Sequence, residues 1–132
     1  EDGLSVICPP DSPLCSEPEI SIETFRRQKF LLREHGSGTR ETFDRVTEEA
    51  GFSITPIWES TSTAALVNAV ANGLGIAVLP CRMVSAALRQ GLVRKICVKG
   101  LSFHRKFHII YHKQKFLTPS AEFFLDLCRN DK

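Results

Sequence analysis

The sequence contains no long apolar run. Its apolar segment at residues 76–80 falls far short of the roughly 18 residues that a membrane span requires. The chain starts with Glu-Asp-Gly, which is acidic where a secretory signal peptide is basic. We therefore expect no membrane partner and a cytoplasmic location.

An excess of charge of one sign is also lacking. The 17 Lys and Arg residues and the 15 Asp and Glu residues give a net charge of +2, whereas nucleic-acid-binding domains commonly carry a strongly basic surface. Basic residues do gather between residues 95 and 115. Side chains of a strand at residues 105–112 would alternate between opposite faces, which favours a solvated edge over a basic strip. We predict no direct DNA binding by this chain.

Residue patterns for metal or cofactor binding are missing as well. The five cysteines are Cys8, Cys15, Cys81, Cys97 and Cys128. They lack the short paired spacings of a zinc site, and the four histidines include no pair at metal-binding helical spacing. The sequence has neither a Walker loop nor a dinucleotide fingerprint. We predict no metal and no cofactor, and we expect reduced, mostly packed thiols, with Cys8 and Cys15 as a redox pair being the alternative.

Enzyme chemistry has little support in the sequence. Cys81 at a strand end and His35 in a neighbouring loop are formally a nucleophile and a base, but no third group that would orient the base is evident. No nucleophile elbow occurs either. We therefore predict no catalytic residue and a non-enzymatic function.

The pattern that is present is a regular alternation of strands and helices. Four apolar strand patterns lie at residues 29–34, 55–59, 75–79 and 92–98. Amphipathic helix patterns lie between them, at residues 39–50, 62–72 and 82–90. Serial βα units predict an α/β fold with a mostly parallel sheet flanked by helices. Before and after this core we expect a strand at residues 4–8, a long strand at residues 105–112 and a helix at residues 119–129.

Hydroxyl- and glycine-rich loops precede two of these helices. The carboxyl ends of parallel strands share one edge of a sheet, so residues 35–39, 60–62 and 81–82 should converge there. Free amide groups at helix starts attract anions, which indicates a site for a carboxylate, sulfate or phosphate. Ser and Thr are also preferred helix caps without any ligand, so simple capping remains the alternative.

Three residues beside these loops have two interpretations each. Arg40 would serve an anion or point to solvent, because a cation in the first helical turn opposes the helix dipole. Trp58 would wall the cleft or fill the core, and we favour the core. Glu59 would pair across the opening with an arginine, either Arg40 or Arg82.

The loop motifs resemble a known family. The resemblance is carried by residues 33–40 (REHGSGTR), 59–60 (ES) and 70–80 (VANGLGIAVLP). In this order and spacing they are similar to the effector-binding domain of LysR-type transcriptional regulators. The similarity continues through residues 91–92 and 107–128, so it covers nearly the whole chain.

The resemblance implies a fold of two Rossmann-like lobes, as in type II periplasmic binding proteins, with a small anionic inducer between them. Residues 1–13 would be a crossover strand and hinge from the first lobe, residues 14–101 the second lobe, and residues 102–132 the return crossover strand and C-terminal helix. The implied ligand-binding residues are Ser37, Gly38, Thr39, Ser60, Thr61, Ser62, Pro80 and Cys81.

The resemblance also implies a fragment. The start of the first lobe would be missing, and DNA would be bound only through a helix-turn-helix domain absent from this chain. A homo-oligomer is expected, with the parent protein regulating transcription. Two alternatives remain open at this point: a dimerisation or interaction module without ligand binding, and a lobe of a solute-binding protein.

Overall fold

The structure is a computed structural model that describes residues 2–130. Its strands are β1 Asp2–Cys8, β2 Glu19–Ile20, β3 Leu31–Arg33, β4 Trp58–Ser60, β5 Ala77–Pro80, β6 Arg94–Val98 and β7 His104–Arg105. Its α-helices are α1 Ile22–Arg26, α2 Gly38–Glu49, α3 Thr63–Ala71, α4 Cys81–Arg89 and α5 Pro119–Asn130, and a 3-10 helix lies at Pro13–Ser16. The helices predicted at residues 39–50, 62–72, 82–90 and 119–129 are confirmed with ends shifted by a residue.

The strands pair in the order β2-β6-β1-β5, and β5 is joined to the parallel pair β3-β4 by a parallel bridge between Phe30 and Ile76. Strand β1 is antiparallel to β5, β6 and β7. The other pairs are parallel, so six strands run one way and β1 runs in the opposite direction. The predicted α/β fold with a mostly parallel sheet is confirmed.

The core lies on both faces of this sheet. One cluster packs Phe25, Phe30 and Phe43 against Val6, and the opposite cluster contains Ile7 and its neighbours from α3 and α4. Val6 and Ile7 belong to different clusters because successive side chains of a strand point to opposite faces. Helices thus cover the sheet on both sides, which fixes where the loops between strands and helices emerge.

Two predicted strands need correction. The strand expected at residues 105–112 is wrong: β7 ends at Arg105, and residues 106–112 form no strand. The side chains there are exposed, with Ile110 at 90%, and within residues 2–130 no strand pairs with this segment. The prediction of a solvated strand edge relied on side chains that alternate along this strand, so it no longer applies to residues 106–112. The strand expected at residues 55–59 is shorter and lies at Trp58–Ser60.

Among residues 2–130, no helix is long and apolar enough to cross a membrane. The division of the chain into residues 1–13, 14–101 and 102–132 stays a prediction. Within the described sheet, β1 lies at the centre beside β5 and β6, so residues 2–8 share a core with the strands of the predicted second lobe.

Candidate functional site

Three loops meet at one edge of the sheet. Strands β3, β4 and β5 run in the same direction, so their carboxyl ends lie at the same edge. Helices α2, α3 and α4 begin directly after these strands. The structure therefore brings the three predicted loops to one side of the molecule, each opening a helix.

The first loop is a tightly capped helix start. Ser37 adopts an extended conformation before α2, and its Oγ accepts a hydrogen bond from the Arg40 amide at 3.1 Å. Gly38 begins the helix, and Thr39 follows with only 4% of its surface exposed. The Thr39 hydroxyl oxygen accepts a hydrogen bond from Nη1 of Arg105 at 3.3 Å. The amides of Gly38 and Thr39, the first two of α2, have no acceptor within the helix, so this end combines two amide donors with the nearby guanidinium of Arg105.

The second loop is also capped, but it is more open. The Ser60 Oγ accepts a hydrogen bond from the Ser62 amide at 3.1 Å, and the Ser62 Oγ accepts one from Ala65 at 3.2 Å. Thr61 and Ser62 are exposed to solvent. The Oγ1 of Thr63 accepts a hydrogen bond from Nη1 of Arg33, 3.2 Å away, which ties the start of α3 to the end of β3.

Pro80 and Cys81 form the third loop, where β5 passes directly into α4. The Cys81 Sγ lies 3.0 Å from the Ser5 hydroxyl. Cys81 lines a cavity of about 250 Å³ together with Gly3, Phe103 and others. The thiol is therefore placed beside β1 and β7, whereas His35 has its hydrogen-bond partner in Arg40.

Arg40 connects the first loop to the second through its buried side chain. Its side chain is buried and donates to Asp44 at 3.1 Å, to Glu59 at 2.9 Å and to the carbonyl of Arg33 at 2.9 Å. Burial acts to lower the pKa of Arg40, but the hydrogen bonds and charges of Glu59 and Asp44 outweigh it and raise the pKa. The interpretation that Arg40 points to solvent is wrong, because its side chain is buried and paired with these carboxylates. A role of Arg40 in binding an anionic ligand stays a prediction. The expected Arg40–Glu59 pair is confirmed.

Trp58 lies outside the core. It is 42% exposed, so the preference for a core position is wrong. Ile57, which directly precedes β4, is exposed as well. Strand β4 is the outermost strand of the sheet, so one of its edges has no neighbouring strand. Trp58 lines a cavity of about 540 Å³ with His35, Thr55 and others, and it serves as a wall there.

Arg105 is the residue that the sequence reasoning missed. In the sequence it is one of the basic residues between positions 95 and 115. It lies 66 residues after Thr39, so the sequence does not show that the two side chains are neighbours. Pairing of β7 with β1 brings it to the first loop, and Gly38 faces its guanidinium without a side chain. The guanidinium also lies 4.9 Å from the centre of the Phe107 ring. Nothing local in the sequence signals this contact, because it depends on a pairing between the two ends of the chain.

Metal ligands are not gathered at this edge. Within the part of the chain that the structure describes, no group of three or more His, Cys, Asp or Glu side chains is placed to hold a metal ion. The chemistry available at the edge is hydrogen bonding by hydroxyl and amide groups together with the positive charge of Arg105.

Comparison with known proteins identifies the family. A family model described as the LysR substrate binding domain matches residues 1–132. The chain belongs to this family. The chain is also 33% identical, over 94% of its length, to a RuBisCO operon transcriptional regulator of Allochromatium vinosum. It is 34% identical, over 97% of its length, to the uncharacterized HTH-type transcriptional regulator YeiE of Escherichia coli.

The relatives are longer than this chain. The matches cover 41% and 43% of the two regulators, respectively, so the chain spans about two fifths of the curated relatives. Both proteins are named transcriptional regulators. A solved structure of the CcmR regulatory domain from Synechocystis PCC6803 in complex with 2-PG superposes with a TM-score of 0.84 and 25% identity, covering 96% of this chain and 61% of that one. The resemblance inferred from the loop motifs is confirmed.

Proposed function

We propose that this LysR substrate binding domain senses a small anionic effector with the loops at the carboxyl edge of its sheet. The parent protein is a non-enzymatic transcriptional regulator that acts in the cytoplasm as a homo-oligomer and contacts DNA through a helix-turn-helix domain outside this chain. The observation that carries the proposal is the first loop, where Arg105 donates to Thr39 beside the capped start of α2.

The chemistry of the edge suits an anion with more than one charged group. The starts of α2 and α3 offer amide donors and a favourable dipole end, and Ser37, Thr39 and Ser60 to Ser62 add hydroxyl groups. Arg105 places a positive charge beside Thr39, and the charge of Arg40 is paired with Asp44 and Glu59. The CcmR domain binds 2-PG, and a carboxylate and a phosphate on one small molecule would use both loops. We therefore propose 2-phosphoglycolate as the first probe.

Replacing Thr39 by valine is expected to weaken binding of 2-phosphoglycolate by roughly ten- to a hundredfold, since one lost hydrogen bond to a charged group is worth roughly 1.5–3 kcal/mol. Valine has nearly the shape of threonine, so the buried position stays filled. Isothermal titration calorimetry of the two proteins measures the change, and circular dichroism checks that the variant is folded.

Thr55→Val is the matched control. Thr55 lines the cavity beside Trp58 instead of the loop edge, so this variant is expected to bind like the unaltered protein. Weaker binding by Thr55→Val with unchanged binding by Thr39→Val would place the ligand in that cavity and contradict the proposed site.

An interaction module is the second candidate, and the C-terminal segment favours it. Ile110, Phe116 and Phe123 are exposed at 90%, 98% and 66%, and large apolar side chains exposed in one segment of a chain would suit burial against another protein surface. Sedimentation velocity distinguishes the candidates: a tight dimer that ignores 2-phosphoglycolate and related anions would favour the interaction module. An anion response centred on the loops would favour sensing.

A further inference from the structure

Two thiols lie side by side at the end of β1. The Sγ atoms of Cys8 and Cys15 are 3.1 Å apart, and both cysteines are free. A disulfide bond is about 2.05 Å long, so the two sulfurs need to approach by only about 1 Å to form one. The other cysteines have different surroundings: Cys81 lies beside Ser5, and Cys97 and Cys128 are exposed.

The chain between the two thiols holds them in this position. Residues 9–13 include three prolines, whose fixed φ angles restrict the turn. The Ser12 amide donates to the carbonyl of Pro9 at 3.1 Å, and the Cys15 amide donates to the carbonyl of Ser12 at 3.1 Å. The Ser12 hydroxyl oxygen also accepts a hydrogen bond from Leu14 and caps the short helix. The proximity of the thiols is therefore built into a hydrogen-bonded turn.

The two thiols differ in access. Cys8 is fully buried within the sheet, whereas Cys15 is partly exposed. Burial, together with the hydrogen bond that the Cys8 thiol donates to Cys15, raises the pKa of Cys8 to about 12, so Cys8 stays protonated at neutral pH. An oxidant from solution can therefore reach Cys15, whereas Cys8 is accessible only to Cys15.

We propose that Cys8 and Cys15 form an oxidisable thiol pair that a small organic disulfide, such as glutathione disulfide, converts to an intramolecular disulfide. The Cys15 thiolate attacks one sulfur of the small disulfide and releases one thiolate. Cys8 then attacks the Cys15 sulfur, and the second small thiolate leaves as it takes up the Cys8 proton. Two protein thiols are oxidised, and one small disulfide is reduced to two thiols. This site is independent of effector binding at the loop edge.

The experiment uses the Cys97→Ser, Cys128→Ser double variant, which removes the two exposed thiols. The reduced protein is incubated with glutathione disulfide, denatured, alkylated with N-ethylmaleimide and digested with trypsin. Cys8 and Cys15 lie in the same tryptic peptide, because no Lys or Arg precedes Arg26. We expect this peptide to be lighter by two hydrogens and to carry no N-ethylmaleimide, and we expect reduction with dithiothreitol to restore both thiols. The amount of the disulfide-bonded peptide should exceed the amount of the mixed disulfide with glutathione roughly tenfold or more, since the second step is intramolecular.

Two further variants assign the order of the steps. Cys8→Ser in the same background is expected to accumulate a stable mixed disulfide at Cys15, because the second thiol is missing. Cys15→Ser is expected to leave Cys8 unmodified, because Cys8 is buried. The proposal is overturned if both thiols of the double variant remain alkylatable, or if the mixed disulfide at Cys15 persists although Cys8 is present.

Discussion

Replacing Arg40 by leucine is expected to lower the free energy of unfolding by about 3 kcal/mol, the lower end of the cost of breaking a buried ion pair. Asp44, Glu59 and the Arg33 carbonyl all lose the donor that they share. The carboxylates of Asp44 and Glu59 are partly exposed, so hydration of these groups in the variant would offset part of the lost stabilisation. Urea unfolding followed by circular dichroism measures the change.

Arg45→Leu is the control on the same helix. Arg45 pairs with Glu49 at 3.3 Å and donates to the His104 carbonyl at 3.2 Å. Both charged side chains are more than half exposed, so we expect a change of about 1 kcal/mol or less. Equal stability changes for Arg40→Leu and Arg45→Leu would mean that the buried network contributes nothing. In that case Arg40 would not be the residue that holds the first two loops together.

Replacing Gly75 by alanine is expected to cost about 3 kcal/mol, at the upper end of the range for overpacking. A Cβ at this position would collide with the backbone carbonyl of Lys29. That same carbonyl accepts a hydrogen bond from the Ile76 amide at 2.9 Å. The collision therefore falls on the joint that attaches β3 and β4 to β5. Thermal and urea unfolding measure the loss of stability.

Gly3→Ala is the matched control, since Gly3 lies in β1 and a Cβ there meets its nearest neighbour, the Cys81 Sγ, at an ordinary 3.5 Å. We expect its stability to change by less than about 1 kcal/mol. If Gly75→Ala is as stable as Gly3→Ala, the close approach of Lys29 to Gly75 does not exist in solution, and the described junction between the strands is wrong.

The helices and caps were predictable because their signals are local. Ser37 and Ser62 are hydroxyl residues at helix starts, and both cap as expected. The apolar strand that ends at Pro80 and the helix after it follow from a run of neighbouring residues. The two-lobed architecture was predicted from the resemblance to a family and not from local patterns. The REHGSGTR motif at residues 33–40 identifies the family, and the family implies the fold of the whole domain.

The features that were missed depend on distant pairings. The burial of Arg40 requires Glu59 from another strand, and the contact of Arg105 with Thr39 requires β7 to pair with β1. The alternating pattern at residues 106–112 looks like a strand in sequence, but no partner strand lies beside it. Trp58 is exposed because β4 is the edge strand, and edge position cannot be inferred from residues 55–59 alone.

The central claim is that the loop edge binds a small anion, and amide chemical shifts measured during a titration with 2-phosphoglycolate test it most directly. We predict saturable shifts concentrated at Gly38, Thr39, Ser62 and the backbone of Arg105, with residues 54–58 little affected. Shifts centred on residues 54–58, or no saturable shift at the loops, would contradict the account.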